Sequence, residues 1–259
     1  TNNDNVWMNV GSGSGNINAF SASGGNVTNT SAVSGKTIHV FTSSGNLVVT
    51  GTGQADVLVV AGGGGTGSRS PGGAGAGGLI WQTGRTFAAG TYSIVIGAGG
   101  SGGAGGGNNA GTNGSNSTIT FNSSAILTAI GGGEGVHAGS DGGDGGSGGG
   151  TSHTGSDRFG EGTQTDQSGD SGTYGFGNDG SYSVYSGNPF VTGGGGGAGS
   201  AGSIGNAGAS QGAGGAGGAG KDLSSLLSTT WGDSGWFASG GGGGTSNGVN
   251  NANCYGGHA

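Results

Sequence analysis

From residue 36 the chain alternates between apolar and polar positions. Lys36-Thr37-Ile38-His39-Val40-Phe41-Thr42 reads as a β-strand, Ser43-Ser44-Gly45-Asn46 as a turn, and Leu47-Val48-Val49-Thr50 as a returning strand. Val57-Leu58-Val59-Val60 is apolar at every position and bounded by glycine, the pattern of a strand buried on both faces. Further strands are predicted at 79–82, 92–96, 117–121 and 125–130. A short helix is predicted at 221–227, where Leu223, Leu226 and Leu227 share helical spacing. Ahead of all these, Val6-Trp7-Met8-Asn9-Val10 forms a strand-like cluster in which Trp7 is an apolar anchor.

Between the strands a period of three takes over. From Ala198 non-glycine residues recur at Ala201, Ile204, Ala207, Ser210, Ala213, Ala216 and Ala219, and the same register holds at Ala98, Ser101 and Ala104 and at Ala138, Asp141, Asp144 and Ser147. Three residues per turn is the repeat of a polyproline-II helix, which makes no internal hydrogen bonds. With 77 glycines and two prolines the pattern is not collagen's; it is that of polyglycine-II helices lying side by side. Each glycine costs about 0.5–1 kcal/mol more than alanine to order. Such a fold therefore stands only if nearly every backbone group finds a partner in a neighbouring segment. The competing reading is a flexible low-complexity chain, against which stand the registered spacing and the apolar strands.

The expected fold is mainly β with polyglycine-II helices: a small β-sandwich or sheet layer packed with a polyglycine-II helix bundle, and almost no α-helix. Residues 1–20 read as an N-terminal connector and 21–130 as a β-rich layer with glycine helices. Residues 131–259 read as a polyglycine-II bundle carrying an inserted loop at 151–192. That insert is poorer in glycine and holds Phe159, Tyr174, Phe176, Tyr182, Tyr185 and Phe190 together with Asp157, Glu161, Asp166, Asp170 and Asp179. Tyrosine, serine, glycine and asparagine are also the residues of recognition loops, where rigid amphipathic rings supply contact area. The six aromatic residues are the candidate receptor-binding set; a satellite core or a subunit contact is the alternative.

Composition narrows the function. Only 29% of residues are hydrophobic and 7% charged, so an apolar core is small. Five bases against twelve acids, a net charge of −7, leave no basic patch for nucleic acid or for anionic membranes. No apolar run is long enough to cross a bilayer, so no membrane insertion is expected. Cys254 stands alone, which excludes an internal disulfide. The chain starts with Thr and carries no signal peptide, so it reads as processed or as an excerpt of a longer polypeptide.

No arrangement of side chains makes an active site. His39, His137, His153 and His258 are scattered, none at metal-ligand spacing, and no metal or cofactor is expected. Asp141-Gly142-Gly143-Asp144 resembles a calcium-binding glycine–aspartate repeat but lacks its regular apolar position. It reads as a solvated acidic ridge, with calcium binding the alternative. Matches to G-x-G-x-x-G carry nothing in so glycine-rich a chain, because no helix follows Val57–Val60. Trp81, Trp231, Trp236 and Phe237 border glycine runs and read as caps, with sugar stacking the alternative.

Val57-Leu58-Val59-Val60-Ala61-Gly62-Gly63-Gly64-Gly65, followed by Gly75-Ala76-Gly77-Gly78 and Thr91-Tyr92-Ser93-Ile94-Val95-Ile96-Gly97-Ala98-Gly99-Gly100, resembles the glycine-rich domain of bacteriophage tail-fibre and virion structural proteins. Gly220-Lys221-Asp222-Leu223 and Trp236-Phe237-Ala238-Ser239-Gly240 extend the likeness, which spans roughly residues 36–245. A looser resemblance is to the tip adhesins of T-even-type phages, where loops on a polyglycine-II sandwich recognise the host. One departure is that such domains close with an apolar strand, whereas residues 253–259 hold none.

The resemblance implies a non-enzymatic phage tail-fibre or adhesin component, extracellular on the virion, which attaches to the host through loops on a rigid scaffold. Its partners would be a host cell-surface glycan or outer-membrane protein and, through the N-terminal segment, other virion fibre proteins. A homo-oligomer is compatible with it. The rival readings are a purely structural virion fibre, capsid decoration or extracellular filament subunit and, further off, an ice-binding protein.

Overall fold

The computed structural model describes residues 19–30, 33, 35–137, 139–152, 158–164, 175–183, 190–205 and 213–245. Its strands are β1 (Ser21–Ser23), β2 (Val27–Asn29), β3 (Ile38–Val40), β4 (Gly45–Thr50), β5 (Gly53–Val60), β6 (Leu79–Phe87), β7 (Gly90–Val95), β8 (Ser117–Phe121), β9 (Ser124–Ala129), β10 (Gly175–Phe176), β11 (Lys221–Asp222) and β12 (Trp236–Phe237). One helical turn, α1 (Ser224–Leu227), lies between β11 and β12. The Val6–Val10 cluster lies outside the described residues.

The strands form antiparallel sheets: a five-stranded one in the order β1-β4-β7-β8-β9, a three-stranded one in the order β10-β6-β5, and two strand pairs, β2-β3 and β11-β12. The two larger sheets enclose one core. Alternation sends Val49, Tyr92, Ile94, Ile119, Leu127 and Ala129 of the first sheet toward Val57, Val59, Ile80 and Phe87 of the second. Tyr92 anchors it, stacked on Phe121 at 4.3 Å and edge-on to Phe87 at 5.0 Å, with its hydroxyl 3.0 Å from both the N–H and the carbonyl of Ala88. The Asn122-Ser123 turn between β8 and β9 has positive φ at both residues, the twist that suits a two-residue hairpin.

Two sequence expectations need correction. The strand read at 36–42 does not pair with its return at 47–50: β3 pairs with β2, while β4 pairs with β1 and β7. Asn26 causes the divergence, since its Oδ1 accepts the N–H groups of Thr42 and Ser43 and draws that segment to β2. The helix predicted at 221–227 is one turn, because Lys221 and Asp222 are held in β11 by Phe237 and Trp236 and Asp222 Oδ1 accepts the Ser224 N–H.

Beyond the sandwich, glycine-rich runs bond to one another rather than to themselves, in steps of three. In the run 71–78, Gly72, Gly75 and Gly78 donate to Val136, Gly133 and Ile130, while Gly73 and Ala76 donate to Gly193 and Gly196. Its carbonyls repeat the step: Gly75 and Gly78 accept from Gly64 and Ala61, Gly73 and Ala76 from Gly150 and Ser147, Pro71 and Ala74 from Gly244 and Gly241. The run 191–199 is bonded on all sides, to the segments around Gly73, Gly148, Ser181, Ser203, Gly218 and Gly241. Donors and acceptors thus find partners in neighbouring runs at intervals of three residues. Burial follows it: Ala213, Ala216 and Ala219 are half-exposed while Gly214, Gly215, Gly217 and Gly218 between them are buried. The lattice draws on both sides of residue 130, since run 71–78 is bonded to runs near 133 and 193 alike.

Two predictions test this architecture. A Cβ on Gly195 would overlap the Ala74 carbonyl, whereas one on Gly105 meets open space at an ordinary φ. Denaturant unfolding should therefore show Gly195→Ala destabilised by ~3 kcal/mol or more and Gly105→Ala neutral or stabilised by up to ~1 kcal/mol. The second concerns Asp56, which accepts from Lys36 and, at 2.9 Å, from the Gly84 N–H. The Lys36 hydrogen bond is the largest cause holding its carboxyl below the ordinary aspartate range; partial burial opposes it and the Gly84 N–H assists. A depressed folded value adds stability above the unfolded value and loses it as pH falls through the folded one. The Tm advantage of wild type over Lys36→Met at pH 7 should thus shrink as pH drops below about 4.

Candidate functional site

The lattice has two ends. Gly78 leads into β6 and Ile130 follows β9, so these residues mark the sandwich end; antiparallel bonding then puts Gly72 and Val136 at the opposite, far end. Gly150 bonds Gly73, Thr151 bonds Ser181, Gly205 bonds Tyr182 and Gly244 bonds Pro71. The described chain therefore breaks off at the far end after Ser152, Ser183, Gly205 and Thr245, and resumes there at Arg158, Phe190 and Ala213. The turn 68–71 is at this end too, with Arg69 and Ser70 both at positive φ.

The insert at 151–192 is thus threaded through the lattice. Its stretches 158–164 and 175–183 are lattice runs: Gly160 donates to Gly149, Gly180 to Gly160, and Asn178 accepts from Gly148. Phe159 and Tyr182 meet at the far end, with ring centroids 6.3 Å apart and planes inclined by 22°. Both rings are half-buried. Phe190, half-buried as well, enters the run that starts at Val191. Tyr185 and Tyr174 lie outside the described residues.

Phe176 is separated from the others. In β10 it pairs with Leu79 of β6, and Lys221 Nζ stands 4.2 Å from its ring centroid. Sequence proximity grouped it with Tyr182, but Phe176 starts at the sandwich end the run that delivers Tyr182 to the far end.

Of the charged groups beside the Phe159–Tyr182 pair, Asp141 was read from sequence only as part of an acidic ridge, and Arg158 was not singled out. Arg158 is 82% exposed and lies 3.8 Å from Asp141, whose side chain is 44% exposed, a long surface ion pair worth little to stability. The signal for it was only that Arg158, one of five bases, precedes Phe159. Asp144, by contrast, is committed to structure, its Oδ1 accepting the Glu161 N–H at 2.7 Å. Among the described residues no three His, Cys, Asp or Glu side chains gather as metal ligands. Side chains also lock the far end: buried Thr192 has its Oγ1 2.7 Å from the Pro71 carbonyl and 3.1 Å from that of Gly244.

The hydrogen-bonded glycine block thus carries two rings and an ion pair at one end and the sandwich at the other. The family model described as Glycine-rich domain matches residues 41–259, and the chain belongs to that family. Searches of curated proteins and of solved structures gave no significant match.

The division between the two ends is testable. Phe176→Leu removes the Lys221 contact at the sandwich end and should lower stability by about 0.5–1 kcal/mol. Phe159 and Tyr182 exchange broadening in NMR spectra should stay as in wild type.

Proposed function

We propose that this chain is a non-enzymatic attachment component of the phage tail-fibre or adhesin kind, placed on the outside of a virion. The glycine lattice acts as the rigid stalk and the far end as the contact surface for a host cell-surface glycan or outer-membrane protein. The observation that carries this reading is the meeting of Phe159 and Tyr182, from separate lattice runs, at the end opposite the sandwich. Rings fixed by backbone bonding lose little entropy on contact, the quality that makes aromatic anchors effective. Arg158, 82% exposed beside Phe159, adds a charged donor for a polar ligand.

The deciding experiment is adsorption of the labelled chain to a panel of bacterial cells. Selective binding is expected, with Phe159→Ala/Tyr182→Ala weakening it tenfold or more, roughly what loss of an aromatic anchor costs. Phe176→Leu should bind as wild type. A folded chain that adsorbs to no strain, or whose double variant adsorbs undiminished, would sink the far-end site. A structural fibre, decoration or filament role would then lead.

A further inference from the structure

β6 turns two polar side chains toward the core. Gln82 stands opposite Val57 and Arg85 opposite Ala55, and both Val57 and Ala55 pack in the sandwich. Residues three apart in a regular strand point to opposite faces. Here a bulge sets Thr83 and Gly84 against Asp56 alone, which returns Arg85 to the side of Gln82. Gly84 makes the bulge with φ at +64°, and Asp56 Oδ1 accepts its N–H at 2.9 Å. Asp56, between two core-facing residues, faces the other way and meets Lys36.

The two side chains meet, since Arg85 Nη1 donates to Gln82 Oε1 at 2.8 Å. Their other donors find nothing. Gln82 is 0% exposed, yet its Nε2 has no acceptor, and the buried Arg85 Nε has none either. Arg85 as a whole is half-buried, and its Nη2 is unbonded and reached by solvent. Burying an amide or a guanidinium without acceptors weakens a fold. No acid answers them among the described residues. β8 and β9, packed on β5 and β6 from the other sheet, hold no charged residue, and Asp56 is taken up by Lys36 and Gly84. In a chain of twelve acids and five bases, an inward arginine without a carboxylate breaks a rule of stable folds, and such breaks gather where ligands bind.

We propose that Gln82 and Arg85 form a carboxylate-binding site in the side of the sandwich. Gln82 holds the guanidinium by Nη1 and leaves the edge made by Nε and Nη2, two parallel N–H groups that match the two oxygens of a carboxylate. The acid group enters at Nη2, and a small rotation about Cδ–Nε brings Nε–H to its second oxygen. A singly charged carboxylate leaves the pair neutral, whereas a phosphate dianion would leave a net charge inside the sandwich. The carboxylate can belong to an acidic sugar or to the free end of a peptide. This inference does not depend on the far end or on what it binds.

Titration of the isotope-labelled full chain with acetate, at an ionic strength held constant with chloride, tests it. The Arg85 Nε–H and Gln82 side-chain amide signals in NMR spectra should shift saturably, the Nε–H downfield, while the amides of β7 and β8 stay in place. Arg85→Lys keeps the charge but loses the fork, and should bind acetate about tenfold more weakly. Should that variant fail to fold, Gln82→Leu, similar in volume and without the grip on Nη1, should weaken binding by a smaller factor. Glucuronate and N-acetylglycine then separate the two sources, and tighter binding of either supports the site. The absence of a saturable shift at Arg85 Nε, or an equal response to chloride, overturns the proposal. An Nε–H signal already downfield without acetate, and released by Asp166→Asn or Asp170→Asn, overturns it as well, since the acceptor is then the chain's own.

Discussion

The hydrogen bond between one glycine run and the next is the interaction on which the rest depends. A three-residue helix satisfies none of its own backbone groups, so each run is stable only inside its neighbours. The absence of side chains is what permits the approach: a Cβ on Gly73, Gly75 or Gly195 would collide with a carbonyl of an adjoining run. The entropic handicap of glycine and the backbone pairing that offsets it are therefore two sides of one design.

The β-sandwich supplies what the lattice lacks. Glycine runs carry no side-chain code for order, so their sequence could slide by three residues against a neighbour with little change in bonding. Strands have such a code, because a slip of one residue turns Val57 and Val59 out of the core. Runs 61–67 and 130–137 issue directly from β5 and β9, and run 71–78 leads directly into β6; the registers of these strands are set by Val57, Leu127 and Ile80. Register fixed in the sandwich is carried along the lattice to the far end.

Much of this was legible in the sequence, for stated reasons. Alternation located six of the strands and an unbroken apolar run located β5, while the three-residue spacing marked stretches such as 98–104 and 213–219 but not runs 61–67, 71–78 or 130–137, whose sequences lack it. What alternation cannot give is partner choice: β3 pairs with β2 because Asn26 caps Thr42 and Ser43, a side-chain contact seventeen residues away in the chain for Ser43. Nor could sequence say that Phe176 and Tyr182, six positions apart, stand at opposite ends of one run. A run of that length spans the whole lattice, so closeness in sequence is distance in space. Phe159 and Tyr182, more than twenty positions apart, stand 6.3 Å from one another, whereas the sequence joined them by shared composition of the insert and not by any sign of contact.

The three-step bonding of run 71–78 also limits how such a protein can change in length. Adding one residue to an interior run rotates everything beyond it by a third of a turn and sets side chains where only hydrogen atoms fit. Adding three to every bonded run restores the phase and extends the block by about 9 Å. Length in this architecture thus comes in whole turns shared by all threads, while the turns at the far end, outside the repeat, remain free to differ in any number of residues.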